Sequence, residues 1–407
     1  MNQQLSLQKL AYFMVIVGIT IYVLCIGQAF FAPLLFAVLF AFMLIPLCNF
    51  FEHYTKSRVL GILCSYSVVV LPIIGAIFMF SYQFFKVFAD FSLVTETLVE
   101  RANETIMWVE EELDITPDSG REWLMENAAD VMDAPIDLVG SSLTSSTTVV
   151  FNIFLIFLYT FFFLLYRSAL QNYFLIQFSE ERRAEAMRMM DGIQQVAQKY
   201  LFGMMIVIVI LGFCNSIGLS IIGIDYAFFW GFLAAFLAII PYIGTTLGGL
   251  LPFLYAIATT GTFWQPAAVI VLFGTVQTIE GNLITPNVVG GTVNVNPLAA
   301  IISLILGGMM WGISGLILAI PMIAILRITF HYIDSLKPVS LLLGSDLYSN
   351  SEVILSSFDE DRYRLFDVFQ AKYKRSPLKK ESEIKKEITP TDTAAVDVPA
   401  DLLNDKE

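Results

Sequence analysis

A glutamate surrounded by amides, inside a stretch that otherwise avoids charge, is where this sequence can do chemistry. From Val276 to Pro297 the chain reads VQTIEGNLITPNVVGGTVNVNP. Between Lys199 and Arg327 only Asp225 and Glu280 carry a formal charge. Around Glu280 stand Gln277, Asn282, Thr285, Asn287, Asn294 and Asn296, punctuated by Pro286, Gly290, Gly291 and Pro297. Charge and amides at membrane depth are costly unless they face protein or water, so by default they mark a pathway. Glu280 is the candidate proton- or cation-binding carboxylate, with Gln277, Asn282 and Asn287 as further transport or ion-binding residues. The competing role is structural: amides bonding between helices, and an acid partnered by Arg327.

Spacing refines this set. Gln277 precedes Glu280 by three residues, so both fall near one face of a helix. Asn282 points elsewhere if the helix continues, and joins Glu280 only if the backbone unwinds before Pro286. Discontinuous helices build substrate sites in that way, from exposed carbonyls and helix ends. Pro286 and Gly290 are the expected breaks here, and Pro241 and Gly244 are expected to break and shape the cavity upstream. Irregular backbone is tolerated in a bilayer where it is buried or lines a cavity. Asp225 precedes a helix and reads as an N-cap. Gly308 and Gly312, four apart, are expected to let helices pack closely.

The surrounding elements must be membrane helices. The chain is 57% hydrophobic and 14% charged, against about 25% charged in soluble domains. Cys25, Cys48, Cys64 and Cys214 lie in apolar runs without ligand spacing and read as small buried residues. His53 and His331 are far apart, so neither a metal nor another cofactor is expected. A net charge of −13 argues against nucleic acid as a partner. Enzyme motifs are missing: there is no GxxxxGK[ST] loop and no HExxH pair.

Apolar runs of about 20 residues divide the chain. Residues 1–85 hold three spans, the first two forming a tight hairpin. Residues 86–145 form an acidic helical insert outside the membrane, with Pro117 at a turn between its two arms. The fourth span covers 146–167, and 168–199 is an amphipathic helix lying on the membrane or against the bundle. Residues 200–330 form a transport core of broken helices, in which 226–258 is either a re-entrant hairpin or a kinked pair. Residues 298–329 read as one last glycine-rich span. The tail, 331–407, is cytoplasmic and disordered from about residue 376, where its composition is too polar to bury a core. The fold class is therefore all-α and polytopic, with about eight membrane elements on a bilayer-length count.

Positive residues in short connectors mark the cytoplasmic side. Lys56 and Arg58, the 167–199 segment, and Arg327 with Lys337 share one side, placing both termini in the cytoplasm and the acidic insert outside.

Three motifs in order carry a family resemblance: Pro241-Tyr-Ile-Gly244, then Gln277-x-x-Glu280-x-Asn282-x-x-x-Pro286, then Gly307-Gly308…Gly312…Gly315…Ala319-Ile-Pro321. Together with the insert after the third span, the chain from Leu10 to Leu336 resembles the AI-2E transporter family, the PerM-like permeases. The resemblance implies a carrier of the bacterial inner membrane that self-associates into homo-oligomers. It also implies a small solute such as autoinducer-2, or sodium/proton antiport, as the activity. The expected function is thus non-enzymatic transport driven by a proton or sodium gradient, with membrane lipids as surroundings. Two rivals stand beside it: a passive oligomeric pore lined by Glu280, and a scaffold recruiting partners through insert and tail.

Overall fold

The computed structural model describes residues 7–89, 146–241, 243–260, 262–289 and 294–345. Among these residues the chain is helical, with one isolated bridge between Val295 and Gly344 and no strand. Most of the expected insert, the tail beyond Ser345, and Gly290 with Gly291 lie outside the described residues.

The helices after the first form one packed unit. The first helix meets the second only at their junction and leaves most of its side chains exposed, so the expected tight hairpin of the first two spans is not formed; helical hydrogen bonds instead run through Gly27. α1 (Leu7–Ile26) and α2 (Gln28–Thr55) are separated by Gly27 alone. α3 (Arg58–Ala89) turns back along α2, and α4 (Ser146–Leu165) runs antiparallel to α3. Two bonds fix that register: Tyr66 Oη donates to the Phe157 carbonyl at 2.9 Å, and Arg58 Nη1 donates to the Leu165 carbonyl at 3.1 Å. Cys48, Ile62 and Leu164 are fully buried where the three helices meet. The face where α2 turns into α3 is called proximal below, and the face at the other end of α2, where it begins, is called distal. At the proximal face Glu52 of α2 pairs with Arg167 at 2.7 Å, each side chain one-fifth exposed. Arg167 opens the short helix α5 (Arg167–Ile176).

α6 (Glu180–Ile222) is one unbroken helix of 43 residues, roughly 65 Å long at the α-helical rise. The sequence reading divides this stretch at residue 199 into an amphipathic helix and a fifth span. The structure joins them, because no proline intervenes and Gln194, Gln195, Ala197, Gln198 and Lys199 are ordinary helix formers. Gln198 is built into the bundle, donating to the Phe42 carbonyl at 2.8 Å.

Beyond α6 the chain forms two helical hairpins. α7 (Ala227–Leu237) and α8 (Ile243–Thr259) are antiparallel, their tip at Pro241. Gly244 sits against Leu237, where an added Cβ would collide with the Leu237 carbonyl, and Gly248 sits against Ala234. Near the open end the Trp230 and Tyr255 rings meet at 5.2 Å. Residues 226–258 thus form an antiparallel helical hairpin whose open end lies at the distal face. Phe80 of α3 packs on its outer side, against the rings of Phe229, Phe232 and Phe236. α9 (Trp264–Ile279) then runs antiparallel to α6 toward the proximal face. Gln265 Nε2 donates to the Ile222 carbonyl at 3.1 Å near the top, and Gly203 touches Val289 at the bottom.

α11 (Pro297–His331) corrects the expectation of a single last span. Its backbone leaves helical geometry at Trp311 and at Gly312, which has φ 57° and ψ −133°. That conformation is open to glycine and strained for residues with a Cβ. The two arms fold back on each other so closely that a Cβ on Gly307 or Gly315 would strike the other's carbonyl, while Gly308 faces Leu316. The arms run from Pro297 to Met310 and from Ile313 to His331, about 21 and 28 Å long. This second hairpin enters from the proximal face. Hydropathy reads both arms as one apolar run because it is blind to direction.

Six helical stretches among the described residues are long and apolar enough to cross a membrane. One of them, α11, is folded back on itself, and the apolar part of α1 is shorter than these six. In lipid little hydrophobic force drives helices together, so close small-residue contacts and interhelical hydrogen bonds carry the packing.

After α11 a 3-10 turn (Asp334–Leu336) and α12 (Lys337–Leu343) lead to a small clasp. The Asn296 backbone N–H donates to the Leu343 carbonyl at 2.9 Å, and Ser345 donates to the Asn294 side chain. The Asn296 side-chain oxygen meanwhile caps α11 by accepting from the Ala299 N–H at 2.7 Å.

Candidate transport site

α9 does not end cleanly before the glutamate segment. It widens into a π-turn over Glu280–Ile284 and closes with one turn of α-helix, α10 (Thr285–Val288). The cause is local. Pro286 has no N–H to give the Asn282 carbonyl, so the α-helical ladder cannot pass through it. The backbone takes up the lost donor by shifting to i→i+5 bonding, seen where the Thr285 N–H reaches the Glu280 carbonyl. Single π-turns inside α-helices recur at functional sites.

This register decides which side chains meet. Glu280 and Thr285, five apart, come onto one turn, and the Thr285 hydroxyl donates to Glu280 Oε1. Gln277 Nε2 donates to Glu280 Oε2 at 2.9 Å. Both carboxylate oxygens therefore have a donor, and the group is held as an oriented, half-buried acid. Asn282 and Asn287 are not drawn to it. Their amides donate back along the helix, to the Thr278 and Leu283 carbonyls, each at 2.8 Å. Both side chains are exposed on the outside of the π-turn. The unwinding that would have brought Asn282 to Glu280 is replaced by widening, and Thr285 takes the place beside the acid. The signal for Thr285 was present in the sequence, as a hydroxyl five residues after a glutamate and immediately before a proline.

The π-turn lies against the tip region of the first hairpin. Val276 and Ile284, which flank Glu280 along the helix, pack on a buried cluster of Ala235 of that hairpin with Val207, Ile208 and Leu211 of α6, which Ala238 and Ile239 also cover. Pro241 and Gly244 form the tip itself. Gly308 packs within the second hairpin, and Gly312 is its turn residue with open space around it. Arg327 lies against Gly344. Asp225 sits in the turn between α6 and α7, where Gly223 has φ 84° and Tyr226 φ 56°; the N-cap position of α7 falls on Tyr226, without a side-chain capping bond, and not on Asp225 as expected.

Two pairings have no counterpart in the sequence reading. One is the Glu52–Arg167 ion pair. The other is a reciprocal contact at the second tip, where Trp311 Nε1 donates to the Leu24 carbonyl at 2.9 Å and Gln28 Nε2 donates to the Trp311 carbonyl at 3.1 Å. They join residues more than 100 positions apart, which no local spacing reveals.

The chain is similar to known proteins along most of its length. A family model described as AI-2E family transporter matches residues 12–335. The AI-2 transport protein TqsA of Escherichia coli (strain K12) is 24% identical over 339 residues, 82% of this chain and 95% of TqsA. YueF of Bacillus subtilis (strain 168), whose name calls it a candidate transport protein, is 29% identical over 170 residues. YrrI of the same organism, named in the same way, is 31% identical over 129 residues. Those two matches cover 42% and 32% of this chain, and span 45% of YueF and 36% of YrrI.

Proposed function

The chain belongs to the AI-2E family of transporters, and on that footing we propose that it carries a small polar solute of the autoinducer-2 kind, or a cation, across the bacterial inner membrane. The carrying observation is Glu280, oriented by Gln277 and Thr285 on a π-turn beside the Pro241 hairpin. A carboxyl so held can accept a proton or a cation on one side of the membrane and release it on the other, which makes a proton or sodium gradient the drive. The name of TqsA supports the solute.

The two hairpins supply what such a cycle needs besides a binding group. Their tips break the helix in the bundle, where freed backbone groups can face a solute rather than lipid. Their open ends lie at opposite faces, and the tip of the second reaches the corner where α2 begins, which suits it to gate the distal side. Discontinuous elements that meet an ionisable side chain are the usual architecture of solute and ion sites in secondary transporters. The basic residues of the proximal face, Lys56, Arg58 and Arg167, support a cytoplasmic proximal side. A homo-oligomer in the membrane completes the proposal.

Reconstitution tests it. In proteoliposomes with a pH-sensitive dye inside, wild-type protein should move protons when a sodium gradient is imposed, or release preloaded autoinducer-2 when a proton gradient is imposed. Glu280→Gln should abolish the coupled flux while inserting and purifying like wild type. Wild-type flux in that variant overturns the role of Glu280. Flux that neither saturates nor shows counterflow, together with conductance in planar bilayers, identifies a pore instead of a carrier.

A further inference from the structure

Two helix breaks, remote in sequence, cap one another. α1 ends at Ile26 and α2 begins at Gln28, so the Leu24 carbonyl is among the last four of α1, which lose their intrahelical donors. The Trp311 indole N–H supplies one, at 2.9 Å. In return, the Trp311 carbonyl, at the point where α11 leaves helical geometry, accepts from the Gln28 side-chain amide at 3.1 Å. Neither bond merely extends a helix; each satisfies a group that the other break exposes.

The surroundings divide this junction into a held part and a free part. Trp311 is 8% exposed and belongs to a cluster with Ala32 and Leu39 of α2, Ala197 of α6 and Leu318 of the second arm. Gly312, beside it, has nothing within 4 Å of where a Cβ would stand. The ring is anchored while the turn next to it has room to swing. Interhelical hydrogen bonds in bilayers are individually weak, so two of them bias the tip toward the docked position without fixing it there.

We propose that Trp311 and Gln28 form a latch by which the α1–α2 corner holds the tip of the second hairpin closed. Its meaning for transport rests on the gating role given to that hairpin above. The latch itself is a property of the conformational equilibrium and is read without flux. The start of α2, packed through Ala32 and Leu39, then acts as the post against which the tip closes.

Hydrogen–deuterium exchange of the full chain in lipid nanodiscs tests it. Gln28→Met removes the amide at similar length, and Trp311→Phe keeps an aromatic ring while removing the donor. Either variant should raise amide exchange at least 10-fold in peptides covering 308–316, with the α2–α4 peptides and the melting temperature unchanged. Because the two bonds close one junction, the double variant should exchange little faster than either single one. Unchanged exchange at the tip in both single variants overturns the latch. So does exchange that rises throughout the molecule, which would assign both residues to general stability. Raised exchange at the tip with wild-type flux counts against the gating role in the proposed function and leaves the latch standing.

Discussion

Thr285 shows how one backbone irregularity selects a site residue. Its hydroxyl meets Glu280 only because Pro286 forces the preceding turn into i→i+5 register. A hydrogen bond to a charged group contributes about 1.5–3 kcal/mol, so the loss of this donor should be visible. Thr285→Val should lower Glu280-dependent flux by about 10-fold or more on that estimate, and Thr285→Ser should retain it. The measurement is initial rate against driving gradient in proteoliposomes, and equal rates in the valine and serine variants would remove Thr285 from the site. Glu280 and Gln277 were legible from charge and three-residue spacing alone. Asn282 and Asn287 looked equivalent to them by composition. What separates the four is whether an amide reaches a carboxylate or its own helix, and that depends on a register that composition does not encode.

Hairpin tips are where helix-level reasoning reaches its limit and where it becomes testable. Helix identity and most helix ends follow from apolar length and from breaks at Gly27, Gly223 and Pro241. The continuity of α6 and the reversal of α11 do not follow, since one lacks a break where polarity changes and the other keeps its apolarity through a turn. Close approach makes the reversals sensitive to single methyl groups. Gly244→Ala would put a Cβ into the Leu237 carbonyl, whereas a Cβ at Gly274 meets nothing within 4 Å. Overpacking of that kind costs about 1–3 kcal/mol, while replacing an exposed helical glycine by alanine gains roughly 0.5–1 kcal/mol. Thermal unfolding in detergent should therefore show Gly244→Ala lowered and Gly274→Ala unchanged or raised. Equal melting of both would mean that the first hairpin is not packed as described.

At the scale of the molecule, the basic residues Lys56, Arg58 and Arg167 stand at the proximal face, and the positive-inside tendency predicts that this face is cytoplasmic. Single cysteines report this directly in a background lacking Cys25, Cys48, Cys64 and Cys214. His53→Cys, at the proximal end of α2, should react with a membrane-impermeant maleimide only after lysis. Thr262→Cys, between α8 and α9 at the distal end, should react in intact cells. The opposite pattern inverts the topology, and labelling of both in intact cells breaks it. α6 has one more consequence, of a mechanical kind. It is a continuous beam of 43 residues that carries Gly203 against α10, Ser216 against Gly231 of the first hairpin, and Gly192 against Ile328 of the second. Its first 20 residues extend about 30 Å from the membrane-facing part. A tilt of about 5° in the bundle therefore swings Glu180 through roughly 3 Å on that length. A spin label near Glu180 then acts as the needle of a gauge whose spindle lies among the hairpins.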